Sequence, residues 1–209
     1  MKKKIVALAL IVSLLAVAIV GGTLAYFTDS EVKNNVFVIG NVDITLTETS
    51  WTGDVEPAAP GILYAKNPVV TNVGDNDAWI RVDVTFTDYQ AISQDPNAMT
   101  NLTGLLKGLD DGTNWEIVDA NGTVTGDTIT YSYYYFEPLE PSVATPALFT
   151  GVEFPAAWGN AKMATLSEDF TITVTANAIQ TADAFDSAAE AFAEWGDEIA
   201  IEQPADDEE

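Results

Sequence analysis

The sequence contains no histidine and no cysteine. Without imidazole there is no HExxH zinc helix, no Ser-His-Asp triad and no histidine base. Without thiols there is no disulfide, no thiolate metal ligand and no cysteine nucleophile, so any core must hold without covalent staples. Positive charge is also scarce, with eight Lys and Arg against 32 Asp and Glu, a net charge of -24. A field of that sign repels nucleic acid and anionic lipid and attracts cations or basic partners. Ser/Gly linkers and repeats of solenoid length are absent too. A chain of 209 residues with 47% apolar composition therefore reads as one domain with a sizeable core.

The chemistry left to such a chain is carboxylate acid/base work, a lysine-assisted Ser or Thr nucleophile, or an oxygen-ligand metal site. Lys33, Lys66, Lys107 and Lys162 are scattered, and none stands near a Ser-x-x-Lys pattern. A catalytic pair cannot be singled out among so many carboxylates, most of which belong to solvated surface. The sequence therefore points to no catalytic residue, to no enzyme and to no required cofactor. Calcium is the one candidate ion, because hard cations take oxygen ligands. The candidate ligands are Asp75 and Asp77 in Asp75-Asn76-Asp77, and Asp110 and Asp111 before Gly112, with Asp119-Ala120-Asn121 as a third cluster. None has the full spacing of a calcium loop closed by a bidentate glutamate, and Asp, Asn and Gly are also what turns require. Asn101 and Asn121 open Asn-x-Thr sequons, which matter only in a glycosylating host.

The chain starts Met1-Lys2-Lys3-Lys4, then runs apolar from Ile5 to Val20 with only Ser13 interposed, and continues Gly21-Gly22-Thr23-Leu24-Ala25. A basic start, an apolar stretch of this length and a small residue before the cut predict a signal peptide over 1–25, cleaved between Ala25 and Tyr26. The alternative is a membrane anchor, since roughly 20 apolar residues span a bilayer. Cleavage removes three lysines and leaves five bases against 32 acids, a net charge of -27.

Beyond residue 30 the pattern is that of strands. In Trp79–Thr87, Ile80, Val82, Val84 and Phe86 alternate with Arg81, Asp83, Thr85 and Thr87; in 170–178, Phe170, Ile172, Val174, Ala176 and Ala178 alternate with threonines. Further strands are predicted at 41–47, 67–72, 115–118, 123–125, 128–136 and 148–152, with a tight hairpin turn at Asp119-Ala120-Asn121-Gly122. Tyr131, Tyr133 and Tyr135 share one face of their strand, which favours packing over a carbohydrate platform. Helix is the minority element: a short insertion within 91–109, carrying Met99, Leu102, Leu105, Leu106 and Leu109, and a C-terminal amphipathic helix from Asp183 to Gly196, carrying Phe185, Ala188, Ala189, Phe192 and Trp195. The expected fold is all-β, an antiparallel β-sandwich of jelly-roll type over 41–196. Residues 197–209, with seven acids and no base, read as a solvated tail.

Several separated pieces resemble one known group. Gly22-Thr23-Leu24-Ala25-Tyr26-Phe27-Thr28-Asp29, then Asn35, Phe37, Gly40 and Asn41-Val42-Asp43-Ile44-Thr45-Leu46, are similar to the TasA/camelysin family, exported by way of the SipW-type signal peptidase. Val70-Thr71-Asn72-Val73-Gly74 with Ala78-Trp79-Ile80-Arg81-Val82 resembles its N-x-G … Y-[IV]-R-V segment, and Ala176-Asn177-Ala178-Ile179-Gln180 also fits. The resemblance implies a secreted jelly-roll subunit, located in the extracellular matrix or on the cell surface, that polymerises with itself into biofilm-matrix fibres. Its other implied partners are the signal peptidase during export and further matrix components, with membrane contact only through the uncleaved signal. In such fibres the N-terminal segment of each subunit completes the sheet of the next. Here residues 26–40 would be the donor, with Tyr26, Phe27, Val32, Val36 and Phe37 as its apolar contacts; the alternative is that they fold back as an ordinary first strand. The camelysin branch implies a cell-surface metallopeptidase as a second reading, for which this chain lacks the usual zinc ligands. A monomeric surface adhesin is a third.

Overall fold

The structure, a computed structural model, describes residues 42–50, 58–93, 101–164, 166, 170–181, 185–195 and 199–202. Every described residue belongs to the unit spanning residues 40–209. Its strands are β1 (Ile44–Thr47), β2 (Leu63–Ala65), β3 (Val69–Asn72), β4 (Ala78–Phe86), β5 (Leu106–Lys107) and β6 (Trp115–Ile117). They continue with β7 (Thr123–Thr125), β8 (Thr128–Tyr135), β9 (Gly151–Glu153), β10 (Ile172–Gln180) and β11 (Ile199–Glu202). The helices are α1 (Tyr89–Ser93), α2 (Gly159–Met163) and α3 (Ala188–Trp195).

The two strands with the clearest alternation form the centre of the larger layer. β10 pairs antiparallel with β4 along nine residues, from Ile172 opposite Phe86 to Gln180 opposite Ala78. The layer runs β11-β10-β4-β8-β6, with β7 also on β8. Ile80, Val82, Val84 and Phe86 point inward and are buried, while Arg81, Asp83 and Thr85 on the other face are partly exposed.

The smaller layer consists of two sheets, β1-β3 and β2-β9-β5, linked by backbone hydrogen bonds. Between the two groups, Lys66 N–H donates to Thr150 O, Leu148 N–H to Pro68 O, Thr145 N–H to Val70 O and Asn72 N–H to Val143 O, at 2.8–3.3 Å. Residues 63–72 and 143–153 therefore behave as two long strands with irregular centres. Between the layers lie Trp115, Tyr131, Tyr133, Phe86 and Phe149, all essentially inaccessible. Each such side chain contributes about 2–3 kcal/mol by its removal from water. The all-β antiparallel sandwich expected from the sequence is the observed fold.

Three expectations are corrected in detail. Leu102, Leu105 and Leu106 do enter the core with Leu109 packed against it, but Leu102–Leu105 is a 3-10 turn and Leu106 already belongs to β5; residues 94–100, with Met99, lie outside the described residues. Asp119–Gly122 does close a turn, with Gly122 N–H on Asp119 O at 3.0 Å, but it joins no hairpin. β6 and β7 instead lie end to end along β8, Trp115 opposite Tyr135 and Thr123 opposite Thr130, and the true hairpin turn is Gly126-Asp127. Gly122 is required there: its φ is +68°, and a Cβ would stand 2.9 Å from both Ile129 and Tyr131. Lastly, Ile199–Glu202, expected within a solvated tail, forms strand β11 against β10.

α3 lies over the outer face of the larger layer. Ser187 caps it, its Oγ accepting from Glu190 N–H at 3.3 Å, while the Glu190 carboxylate reaches back to Asp186 N–H at 3.1 Å. Ala188, Ala191 and Phe192 are buried against Trp79 and Ile179, with Phe185 packed alongside. Ala189, expected on this face, is exposed.

Candidate functional site

The signal cleavage residues Ala25 and Tyr26 and the assembly residues Tyr26, Phe27, Val32, Val36 and Phe37 lie outside the described residues. What is described is the strand that follows that segment in the sequence, and its surroundings. β1 is the first strand after it. Ile44 and Leu46 are buried and Thr45 and Thr47 exposed. Among the described residues β1 has one hydrogen-bonded neighbour, β3, and it lies beside β10 and β11 of the other layer. At its end the buried Glu48 carboxylate pairs with Lys66 through Oε2, while Oε1 has no hydrogen-bond partner among the described residues. The cost of removing both charges from water offsets the attraction of such a buried pair, so it adds little net stability.

The segment after β3 ties this region together. Asn72 is fully buried; its Nδ2 donates to Asn76 O and Leu139 O, both at 2.8 Å, and its Oδ1 accepts from Gly74 N–H at 2.9 Å. Val73 and Gly74 N–H groups both donate to Asp43 O, at 2.9 and 3.0 Å, which fixes the start of β1. The Asn72-Val73-Gly74 motif is thus a backbone clamp.

Arg81, the other polar residue of the motif region, does comparable work on the opposite face. Its guanidinium forks onto Asp83 at 2.9–3.2 Å, and Asn177 Nδ2 donates to the same carboxylate at 2.9 Å. The guanidinium also stands 4.9 Å from the centroid of the Phe192 ring, on which Tyr134 stacks at 5.6 Å. The arrangement docks α3.

The calcium candidates stand on separate loops. Asp75 and Asp77 are exposed, and the backbone carbonyl of Asp77 accepts from Thr181 N–H and Oγ1. Asp110 Oδ2 accepts from Asn114 Nδ2 at 2.6 Å, Asp111 Oδ1 from Ile117 N–H at 3.1 Å, and Asp119 Oδ1 from Asn121 N–H at 2.8 Å. These are turn and strand-end bonds. Among the described residues no three acidic side chains converge as a metal site. Of the sequons, Asn101 caps the 3-10 turn and Nδ2 donates to Ala120 O, whereas Asn121 is exposed.

Of the tyrosine run, Tyr131 and Tyr133 are core, Tyr135 packs against it half-buried, and Tyr134 stacks on Phe192 on the other face. Burial pushes the Tyr133 phenol well above its usual range, with the charges of Asp111 and Tyr131 acting in the same direction, and its hydroxyl is buried without a partner among the described residues. Tyr131 is raised by burial too, against the Leu102 N–H that its oxygen accepts at 3.1 Å. Tyr135 is raised by burial, then by Glu137 and Asp110.

A family model described as "Camelysin metallo-endopeptidase" matches residues 1–103. Over that span the chain is similar to the camelysin family. The match takes in β1 to β4, the Asn72 clamp and Arg81, and so bears out the resemblance to the TasA/camelysin group. No curated protein and no solved structure matches the chain. The family description names a metal-dependent peptidase. The camelysin-like chain has no His or Cys to offer a zinc ion, and its described carboxylates do not gather, so the donors there do not fit such a centre.

Among the described residues no helix is long and apolar enough to cross a membrane. The apolar run 5–20 lies outside them.

Proposed function

We propose that the chain is an exported structural subunit that assembles head to tail into extracellular matrix fibres, with residues 26–40 of each copy completing a sheet of the next. The observation that carries the reading is the border of the sandwich: β1, directly downstream of that segment, has a strand partner on one side among the described residues, and β11 beside it is the last strand of its layer. Strand edges of this kind are templates for β-augmentation, and a head-to-tail contact that does not close yields an open filament. The family match over residues 1–103 and the signal-like start of the sequence support the same reading. Deleting residues 26–38 from the mature chain is expected to leave a folded monomer and abolish fibres in negative-stain images. Fibres of unchanged yield would sink the reading.

The family description favours a second reading, a cell-surface metallo-endopeptidase. Its carboxylates alone would have to hold the metal, which suits calcium better than zinc. Chelator-sensitive cleavage of casein by the pure protein would put this reading ahead.

A further inference from the structure

We infer that Asn121 is a site of self-modification, at which the backbone nitrogen of Gly122 displaces the side-chain amide as ammonia, and that Asp119 holds this reaction back in the folded chain. The inference is independent of the fibre reading and rests on a single turn. Asn121-Gly122 is the one Asn-Gly pair in the sequence. In such a pair no Cβ stands beside the following nitrogen, which leaves it free to approach the carboxamide carbon. A bond forms between Gly122 N and Asn121 Cγ, the Cγ–Nδ2 bond breaks, and the Gly122 amide proton leaves with the departing ammonia. Solvent water then opens the resulting cyclic imide at either carbonyl, giving aspartate or its β-linked isomer. The net change consumes an amide and a water and yields an acid and an ammonia. Asn121 is exposed, so water has access to it.

The turn cannot dispense with its glycine. Gly122 has a φ of +68°, and a Cβ there would stand 2.9 Å from Ile129 and Tyr131. What the fold supplies instead is a restraint on both reacting groups. Gly122 N–H donates to Asp119 O at 3.0 Å, which engages the attacking nitrogen. Asn121 Nδ2 donates to Asp119 Oδ1 at 3.1 Å, and the same oxygen accepts from Asn121 N–H at 2.8 Å, which holds the carboxamide. The turn is anchored from outside as well, by Asn101 Nδ2 donating to Ala120 O at 2.8 Å. To react, the carboxamide must turn its carbon onto Gly122 N and give up a hydrogen bond to a charged acceptor. Conversion then weakens the turn. A carboxylate replaces the Nδ2 donor beside the Asp119 carboxylate, and in the β-linked isomer an extra carbon enters the main chain above Ile129 and Tyr131.

The test follows conversion asparagine by asparagine. The purified chain is incubated at mildly alkaline pH, folded and in guanidinium chloride, and its peptides are read by mass spectrometry, with isoaspartyl methyltransferase labelling for the β-linked product. In denaturant the peptide carrying Asn121 is expected to convert before every other asparagine peptide. In the folded chain its rate should fall on the order of tenfold, the effect of one hydrogen bond to a charged group. Asp119→Ala should return the folded-state rate toward the denatured one, whereas Asp119→Asn, which keeps an oxygen acceptor, should leave it low. Earliest conversion at another asparagine would overturn the site. Equal rates in the folded and denatured unaltered chain would overturn the restraint, whether or not either variant folds. An Asp119→Ala chain that is folded by circular dichroism and converts no faster than the unaltered one would overturn the role of Asp119.

Discussion

At the scale of single residues, the polar groups that matter are the buried ones. Asn72 is fully satisfied and sets the geometry between β1 and β3, whereas the Tyr133 hydroxyl and Trp79 Nε1 are buried without partners among the described residues. The tyrosines make the folded state sensitive to alkali. Burial raises the phenols of Tyr131, Tyr133 and Tyr135 above the ordinary value of 10.0, so they stay neutral in the folded chain after the unfolded chain has released the same protons. Above that pH the unfolded state binds fewer protons than the native one, and stability must fall. Stability from these groups is expected to be complete below about pH 10 and to decline as pH rises through their raised folded values. Urea midpoints measured from pH 8 upward, alongside tyrosinate absorbance, check it. Tyr133→Phe should weaken the decline and be neutral or mildly stabilising at pH 7, because it removes a buried hydroxyl that has no partner among the described residues. The sequence already placed these rings on one face by alternation; their depth depends on the second layer, which no local pattern displays.

At the scale of elements, alternation over nine residues made β4 and β10 legible, because a long strand buried on one face repeats its pattern often enough to be recognised. β2, β5 and β11 have three, two and four residues, too few to establish a period, and long-range ladders hold them in place. The acid content of residues 197–209 masked the strand in Ile199–Glu202, since composition speaks for solvation whereas β10 offers an edge to pair with. The candidate calcium loops were legible as turns and not as a site, because Asp and Asn serve both purposes. α3 was legible from its apolar spacing, and its start follows from the Ser187 cap. Ser187→Ala is expected to cost about 1 kcal/mol. Phe192→Ala should cost more, about 3 kcal/mol, because the ring is buried beside Trp79 and carries both the Tyr134 stack and the Arg81 contact. Thermal and urea unfolding of both variants measure the difference. Equal losses would mean that α3 is held by its own propensity rather than by docking.

At the scale of the whole molecule, charge sets the terms on which copies meet. Loss of residues 1–25 would leave five bases against 32 acids, and subunits of net charge -27 repel one another until that field is weakened. At an ionic strength of about 0.1 M the screening length is about 10 Å, comparable to the spacing between packed sheets, so salt acts directly on charges brought together at an interface. Assembly is expected to accelerate with sodium chloride at neutral pH and, at fixed low salt, with mild acid that protonates carboxylates. Light scattering follows both series, and a flat response in each would show that charge does not limit polymerisation. Calcium separates screening from binding. The described carboxylates of Asp110, Asp111 and Asp119 accept hydrogen bonds within their own turns, and no three acidic side chains converge there, so calcium should act on this part of the chain by screening. Calcium and magnesium at equal concentration should then promote assembly equally. A strong preference for calcium would instead require a coordinated ion, because the two divalent cations screen alike and differ chiefly in the number and geometry of the oxygens they accept.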